Sequence, residues 1–463
     1  AHELVLADLD LDGDLDAVTA GVPSRVLIND GSGRFADESA ARLGPAVHAW
    51  TVEAGDFDGD GDPDLYFGCP NGVGGIIDRL LLNQGGGHFV DVSATHLPGG
   101  PSKTCATAAG DFDRDGDLDL VVAESGQRDR LLLNNGAGQF ADSAQPAFPP
   151  YADYTYKAWP QDVDGDGHLD LLTTTDGSER LFINSGSGVF IDQSWRVPTF
   201  SSYTYIQSAR FGDFDADGDP DLFLGSNGFA FLLENDGAGN FTDVSAGRLP
   251  SNIGEMDHAE VQDFDRDGDL DLMLGLGGES QGDGYNQDVL WLNDGAGSFT
   301  EAAAAMPVAE DTTQALAAGD LDRDGDLDVL TLVDFEGRYP DLRLLLGDGA
   351  GTFLDATGGG LPRNLNPLDA CAQGDLDGDG FPDLVTMHRA PPQPHLPLND
   401  RHGVLRPPAP GALPPSPWAP DDLALADAVP DGALPLSPST RLQHQLCPPD
   451  GPAPSHGRTP HQP

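Results

Sequence analysis

Ala54-Gly55-Asp56-Phe57-Asp58-Gly59-Asp60-Gly61-Asp62-Pro63-Asp64-Leu65-Tyr66-Phe67-Gly68 crowds five aspartates into nine residues and then turns at once to an apolar run. Carboxylates this close repel one another strongly unless a cation neutralises them. Aspartates at positions one, three, five and nine, with glycine at six, meet the needs of a calcium loop. Ca²⁺ takes six to eight oxygens at about 2.3–2.6 Å, and glycine permits the sharp turn that wraps backbone around the ion. The pattern D-x-D-x-D-G-x-x-D occurs eight times, opening at Asp8, Asp56, Asp111, Asp162, Asp213, Asp263, Asp320 and Asp375. Successive openings lie 48, 55, 51, 51, 50, 57 and 55 residues apart. An EF-hand loop opens the same way but closes on a glutamate at its twelfth position. Here a ninth-position aspartate closes every loop.

Each loop sits in the same module. Thr51-Val52-Glu53-Ala54-Gly55 leads in, Leu65-Tyr66-Phe67-Gly68 leads out, and Arg79-Leu80-Leu81-Leu82-Asn83 follows a glycine-rich turn. A second turn then precedes Phe89-Val90-Asp91-Val92. Turn residues divide four short runs rich in β-branched and large apolar side chains, which predicts four strands per module. The turn and its aromatic recur as Gly33-Arg34-Phe35, Gly138-Gln139-Phe140, Gly188-Val189-Phe190, Gly239-Asn240-Phe241, Gly297-Ser298-Phe299 and Gly351-Thr352-Phe353. Four antiparallel strands and one aromatic in about fifty residues read as a β-propeller blade, whose faces are covered only by its neighbours. The phenylalanine is expected in the core between blades.

A chain of 463 residues with a formal charge of −54 looks extreme until the charge is placed. The loops hold about half of its 77 acidic residues. Eight Ca²⁺ ions would leave an acidic protein, and the metal-free chain should be poorly folded through self-repulsion. Lys103 and Lys157 are the only lysines and no basic stripe exists, which argues against nucleic acid and anionic membrane as partners. No apolar run has the length of a membrane span. The chain opens at Ala1 without methionine and enters a repeat almost at once, so a mature or truncated form without its signal peptide is expected. Cys69, Cys105, Cys371 and Cys447 form neither a metal motif nor a dense disulfide framework, and whether Cys69 pairs with Cys105 stays open.

The A-x-x-G-D-F-D-x-D-G-D-x-D-L and L-L-x-N-x-G-x-G-x-F patterns, with their spacing, resemble the FG-GAP/VCBS repeats over roughly residues 1–405. Those repeats build the integrin α-subunit propeller and many secreted bacterial proteins. Dockerin and thrombospondin repeats have similar aspartate runs, but shorter units without this strand content. The resemblance implies an all-β propeller of four-stranded antiparallel blades with a calcium loop in each. Eight modules in a row favour eight blades over the seven with which integrin-type relatives close.

It also implies side-chain ligands at positions one, three, five and nine, with a backbone carbonyl at seven. The first loop would use Asp8, Asp10, Asp12 and Asp16, with Asp14 at position seven; the second Asp56, Asp58, Asp60 and Asp64, with Asp62. The third would use Asp111, Asp113, Asp115 and Asp119, with Asp117; the fourth Asp162, Asp164, Asp166 and Asp170, with His168. In the fifth stand Asp213, Asp215, Asp217 and Asp221, with Asp219; in the sixth Asp263, Asp265, Asp267 and Asp271, with Asp269. The seventh has Asp320, Asp322, Asp324 and Asp328, with Asp326; the eighth Asp375, Asp377, Asp379 and Asp383, with Phe381.

Residues 406–463 form a proline-rich tail that reads as disordered; twenty of the 38 prolines fall in 391–463. Within it, Asp427-Ala428-Val429-Pro430-Asp431-Gly432-Ala433-Leu434-Pro435 is a degenerate ninth motif with Val429 and Pro435 at ligand positions.

Outside the loops the sequence contains no nucleophile elbow, phosphate loop or zinc spacing. The variable residues lie just before each first strand. Six before the loop stand Trp50, Cys105, Tyr156, Gln207, Asp257, Gln314 and Asp369; eight before stand His48, Lys103, Tyr154, Tyr205, Glu255, Thr312 and Pro367. Strand alternation would put both sets on one side. With Tyr203, Lys157 and His258 they mark a candidate rim: His48, Trp50, Lys103, Tyr154, Tyr156, Lys157, Tyr203, Tyr205 and His258. Two function classes follow. One is a secreted or cell-surface, non-enzymatic propeller that binds an extracellular protein or carbohydrate. The other is a polysaccharide lyase on a calcium-stabilised propeller, which would need cations and a base grouped at the rim.

Overall fold

The computed structural model describes most of residues 3–388. Outside the described residues lie 70–76, 100–102, 144–147, 149–154, 176–178, 201–205, 251–255, 277–286, 309–311, 361–367, 389–397, 400–404, several shorter stretches, and nearly all of the chain after 406. Tyr154, Tyr203, Tyr205 and the degenerate motif at 427–435 are therefore outside them.

Seven sheets of four strands follow one another, each paired in chain order from first to fourth strand. In blade one the strands are Glu3–Ala7, Asp16–Ala20, Arg25–Asn29 and Phe35–Asp37. All pairings within these seven sheets are antiparallel, as at Val5 opposite Val18 and Ile28 opposite Ala36. The first strands run beside one another from blade one to blade four and from blade five to blade seven, which makes them the innermost.

Alternation along each strand serves two neighbours at once. Leu65 and Phe67 of blade two pack with Val18, Val26 and Ile28 of blade one. Tyr66, between them, packs with Leu120, Val122 and Leu132 of blade three. Second strands such as Asp64–Gly68 are buried along their whole length because both faces are covered. The recurrent aromatic lies in these seams as its spacing predicts: Phe35, Phe140, Phe190, Phe241, Phe299 and Phe353 are all buried. Most meet the second residue of the preceding blade's loop edge to face, as Phe140 meets Phe57 at 5.7 Å and Phe353 meets Phe264 at 6.1 Å. Burying such a ring stabilises by about 1.5–3 kcal/mol, and the edge-on pairing adds about 0.5–1.5 kcal/mol.

The expectation of eight blades is corrected: the propeller has seven four-stranded antiparallel blades. The eighth module makes a mixed three-stranded sheet instead. Leu368–Gly374 pairs antiparallel with Asp383–His388 and parallel with Leu423–Leu425. Leu398–Asn399 and Leu405–Arg406 form a separate two-stranded piece. Pro391, Pro392, Pro394 and Pro397 fall where a third blade strand should begin, and proline has no N–H to give to a ladder. The module still packs on the first blade, with Leu376 among Leu4, Ala17, Leu27 and Phe35. No helix among the described residues is long and apolar enough to cross a membrane.

Candidate metal loops and the axial face

Each loop joins the first two strands of its blade, and a small set of backbone bonds shapes it. The carboxylate at position one accepts from the glycine N–H at position six, as in Gly61 to Asp56 Oδ2 at 3.0 Å and Gly268 to Asp263 Oδ2 at 3.1 Å. Position five accepts from the N–H at seven, as in Asp62 to Asp60 Oδ1 and His168 to Asp166 Oδ1. The glycine at six is left-handed in the first seven loops, from φ 84° at Gly167 to 99° at Gly268. Position four is left-handed too, even as Leu11, Arg114, Ala216, Arg266 and Arg323. Such backbone is uncommon for residues with a Cβ and tends to cluster at functional sites.

The ninth aspartate is the hinge of the motif. Asp64 Oδ2 accepts from Phe57 N–H at 2.9 Å and Oδ1 from Asn83 N–H at 2.7 Å, so one buried side chain fixes the loop and the third strand. The same pair of bonds recurs at Asp16, Asp119, Asp170, Asp221, Asp271 and Asp328. Burial pushes six of these carboxyls up to about 7 and Asp271 to about 6, although the two N–H donors pull the other way.

Positions one, three and nine converge. In each of the sets Asp8, Asp10, Asp16; Asp56, Asp58, Asp64; Asp162, Asp164, Asp170; and Asp213, Asp215, Asp221, one oxygen per residue lies within 4.8 Å of the others. Asp111, Asp113 and Asp115 form the set of the third loop. Two oxygens on one Ca²⁺ can be at most about 5 Å apart, so the clusters have the dimensions of a coordination shell. Among the described residues, Asp10, Asp58, Asp111, Asp162, Asp164, Asp215, Asp263 and Asp320 each keep a buried Oδ1 with no hydrogen-bond partner. A buried unsatisfied polar atom costs about 1–3 kcal/mol, more when charged. A divalent cation at the centre of each loop would satisfy these oxygens together, so the residues present fit one.

Position seven behaves differently. Its side chain lies across the glycine that follows the third strand, so a Cβ on Gly136 would stand 2.5 Å from Asp117 Oδ2 and one on Gly186 2.2 Å from His168 Nε2. Phe381, in the eighth loop, lies under the Arg323 guanidinium at 4.9 Å.

Two kinds of residue that sequence reasoning passed over hold the loops to the ring. The asparagine ending the third strand donates through Nδ2 to the carbonyl of the preceding blade's loop: Asn83 to Leu9, Asn134 to Phe57, Asn184 to Phe112 and Asn293 to Phe214, each at 2.7 Å. The L-L-x-N pattern displayed it without naming its target. Arg42, Arg196 and Arg248, after the fourth strands, donate to turn carbonyls of the next blade at Gly86, Ala238 and Ala296. Arg42 and Arg196 also stand 3.8 and 3.9 Å from the position-three carboxylates Asp10 and Asp164.

The rim departs from expectation. A β-bulge skips the residue six before the loop in the third module and in every later one: Thr104 and Ala106 face Glu124 and Ala123, so Cys105 has no partner in the ladder. Tyr156, Gln207, Asp257, Gln314 and Asp369 are skipped in the same way. A bulge breaks the two-residue period, so positions six and eight before the loop cannot be assigned to one side by alternation. His48 is exposed and Trp50 half-buried, its N–H donating to Gly68 O at 2.9 Å. Lys103 and Tyr156 are half-buried; the Lys103 N–H donates to Glu124 Oε2. Lys157 Nζ donates to Gln207 O at 2.8 Å and lies 5.9 Å from the Trp159 ring centre. His258 is buried at 2% exposure rather than set on an open rim. Cys69 is a buried free thiol and Cys105 is disulfide-bonded, so these two do not pair.

Inside the bulge, the residues three and five before the loop line the inner strands. In blades four to six they are Lys157 and Trp159, Ser208 and Arg210, His258 and Glu260; in blades three and seven all four are alanine, Ala106, Ala108, Ala315 and Ala317. Arg210 and Glu260 are both buried, with NH2 and Oε1 3.8 Å apart, and burial pushes the Glu260 carboxyl up to about 7.

Among solved structures, the chain is similar to an Agrocybe aegerita lectin that recognises non-reducing terminal N-acetylglucosamine, at 19% identity over 65% of this chain and 78% of that one, with a TM-score of 0.42. It is similar to the V. cholerae biofilm matrix protein Bap1, at 11% identity over 91% and 81%, TM-score 0.35. It is also similar to a Bacillus licheniformis rhamnogalacturonan lyase, at 15% identity over 92% and 73%, TM-score 0.45. No curated protein matches it by sequence. The FG-GAP-like repeat matches residues 6–67, 74–122, 111–173, 162–224, 213–274 and 276–331. These segments take in more than half of the chain and each carries at least one aspartate loop, so the chain belongs to the FG-GAP-like repeat family.

Proposed function

We propose that the chain is a secreted or cell-surface, calcium-stapled propeller that binds an extracellular protein or glycan without catalysing a reaction on it. The orphaned carboxylate oxygens support the metal part of this reading. An all-oxygen set rich in carboxylates suits Ca²⁺, whereas Mg²⁺ demands a smaller, near-ideal octahedron. Positions one, three, five and nine of each loop, from Asp8 to Asp383, would hold the ion. Bound there, calcium offsets the loop's negative charge and ties the first two strands of a blade together. Extracellular calcium modules work at about 10⁻⁴–10⁻³ M, which motivates a location outside the cell.

The observation that carries the binding part is the inequality of the inner strands. Blades four to six place charged, polar and aromatic side chains where blades three and seven have only alanine. Blades one and two carry Glu3 and Glu53 at these levels, each buried and taken up by a hydrogen bond from Val52 N–H or the Thr107 hydroxyl, so the position does not repeat as the loop does. Tyr154, Tyr156, Tyr203 and Tyr205 belong to the segments leading into these same strands, and tyrosines offer large contact area at low entropic cost.

A glycan and extracellular-protein array probed with the calcium-loaded chain tests the proposal. We expect a calcium-dependent ligand whose signal falls in the Tyr154→Ala/Tyr156→Ala/Tyr205→Ala variant. Release of unsaturated product from pectic or ulvan-type polysaccharide would replace binding with lyase chemistry.

A further inference from the structure

We propose that the axial face of blades four to six holds a binding site for the carboxylate of a small ligand, built on Arg210. The proposal rests on the binding-module reading and gives it a chemical class. Arg210 stands on the inner strand Ile206–Gly212 of blade five, with its side chain 7% exposed. One nitrogen, NH1, donates to Ala209 O at 3.0 Å. The other two, Nε and NH2, are buried and have no hydrogen-bond acceptor among the described residues. Glu260 Oε1, 3.8 Å from NH2, is beyond hydrogen-bond reach. Nε and NH2 lie along one edge of the guanidinium, and their parallel N–H bonds are the fork that a carboxylate fills with both oxygens.

The surroundings favour the same occupant. Ser208, two residues earlier on the same strand, keeps a buried hydroxyl with no partner and adds a third donor on that side. Lys157 reaches from blade four to Gln207 O, so the second of only two lysines in a very acidic chain is held beside Ser208.

A carboxylate of this size comes from an acidic sugar or from an amino acid or peptide terminus, and titration calorimetry on the calcium-loaded full chain separates them. The probes are galacturonate, galactose as its neutral counterpart, and an N-acetylated dipeptide. We expect saturable binding of at least one carboxylate probe and none of galactose. Which carboxylate binds assigns the source. Arg210→Lys, which keeps the charge but removes the fork, should weaken that binding by roughly 10–100-fold, while Ser208→Ala, with little change in volume, should weaken it a few-fold. Circular dichroism and calcium content check that both variants fold. Absence of carboxylate binding, equal binding of galactose, or undiminished binding by folded Arg210→Lys and Ser208→Ala would each overturn the site. If an array ligand exists but carboxylates neither bind nor compete with it, this site fails while the binding-module reading stands.

Discussion

Asn134 Nδ2 donates to the carbonyl of Phe57, one blade back, at 2.7 Å, and to Leu118 O in its own blade at 3.1 Å. One amide thus joins two aspartate loops that open 55 residues apart in sequence. Asn134→Ala would leave both carbonyls short of a buried donor, and we expect it to cost about 1–3 kcal/mol in urea unfolding of the calcium-loaded protein.

Calcium removal should unfold the ring cooperatively. The loops concentrate carboxylates whose repulsion only the ion offsets, so its binding free energy is folding free energy. Chelation should lower the melting temperature sharply, calcium should restore it, and magnesium should do so poorly. A melting curve unmoved by excess chelator would remove the structural role assigned to the metal.

Positions seven and nine of one loop should respond in opposite ways. Asp64→Asn puts an NH₂ against one of two backbone donors and removes a ligand. We expect loss of one calcium per chain by elemental analysis and about 2–4 kcal/mol of stability. Asp62→Asn alters a side chain at the position assigned only a carbonyl role, and should keep the metal count.

Glu260 gives a pH dependence of defined sign. Its carboxyl lies at about 7 in the fold against 4.5 as an ordinary glutamate, so between those values the folded state binds the extra proton. The stability this contributes is fully present below about pH 4.5 and is lost as pH rises to about 7. Glu260→Gln should therefore gain on the wild type as pH rises through that window, by a few kcal/mol at most above pH 7. The loop carboxylates are common to both proteins and cancel in the difference between matched denaturation curves.

Much of this molecule could be read from residue order because its determinants are local. Asp56 to Asp64 encode a loop within nine residues, and the alternation in Leu65-Tyr66-Phe67 encodes a strand with two covered faces. Less legible were features that depend on a partner strand. Cys105 and Tyr156 look like ordinary strand residues until their neighbours are seen to pair around them. The eighth loop motif is intact in sequence from Asp375 to Asp383, but blade formation also needs outer strands, and the prolines after 390 have no N–H to give to a ladder. Arg210 and Glu260 are fifty residues apart in sequence, and only adjacent inner strands bring them together.

Gly347 ends the third strand of blade seven, where six other blades end on asparagine. Its N–H still reaches Asp328 Oδ1 at 2.9 Å, but glycine has no amide to send to blade six. A Cβ there would stand 2.2 Å from Leu327 O, so the missing bond cannot be restored by substitution alone. The seam between the sixth and seventh blades therefore lacks the amide bridge found where an asparagine ends the third strand, and its apolar cluster of Phe264, Met273, Leu290, Val329, Leu345 and Phe353 has to hold it.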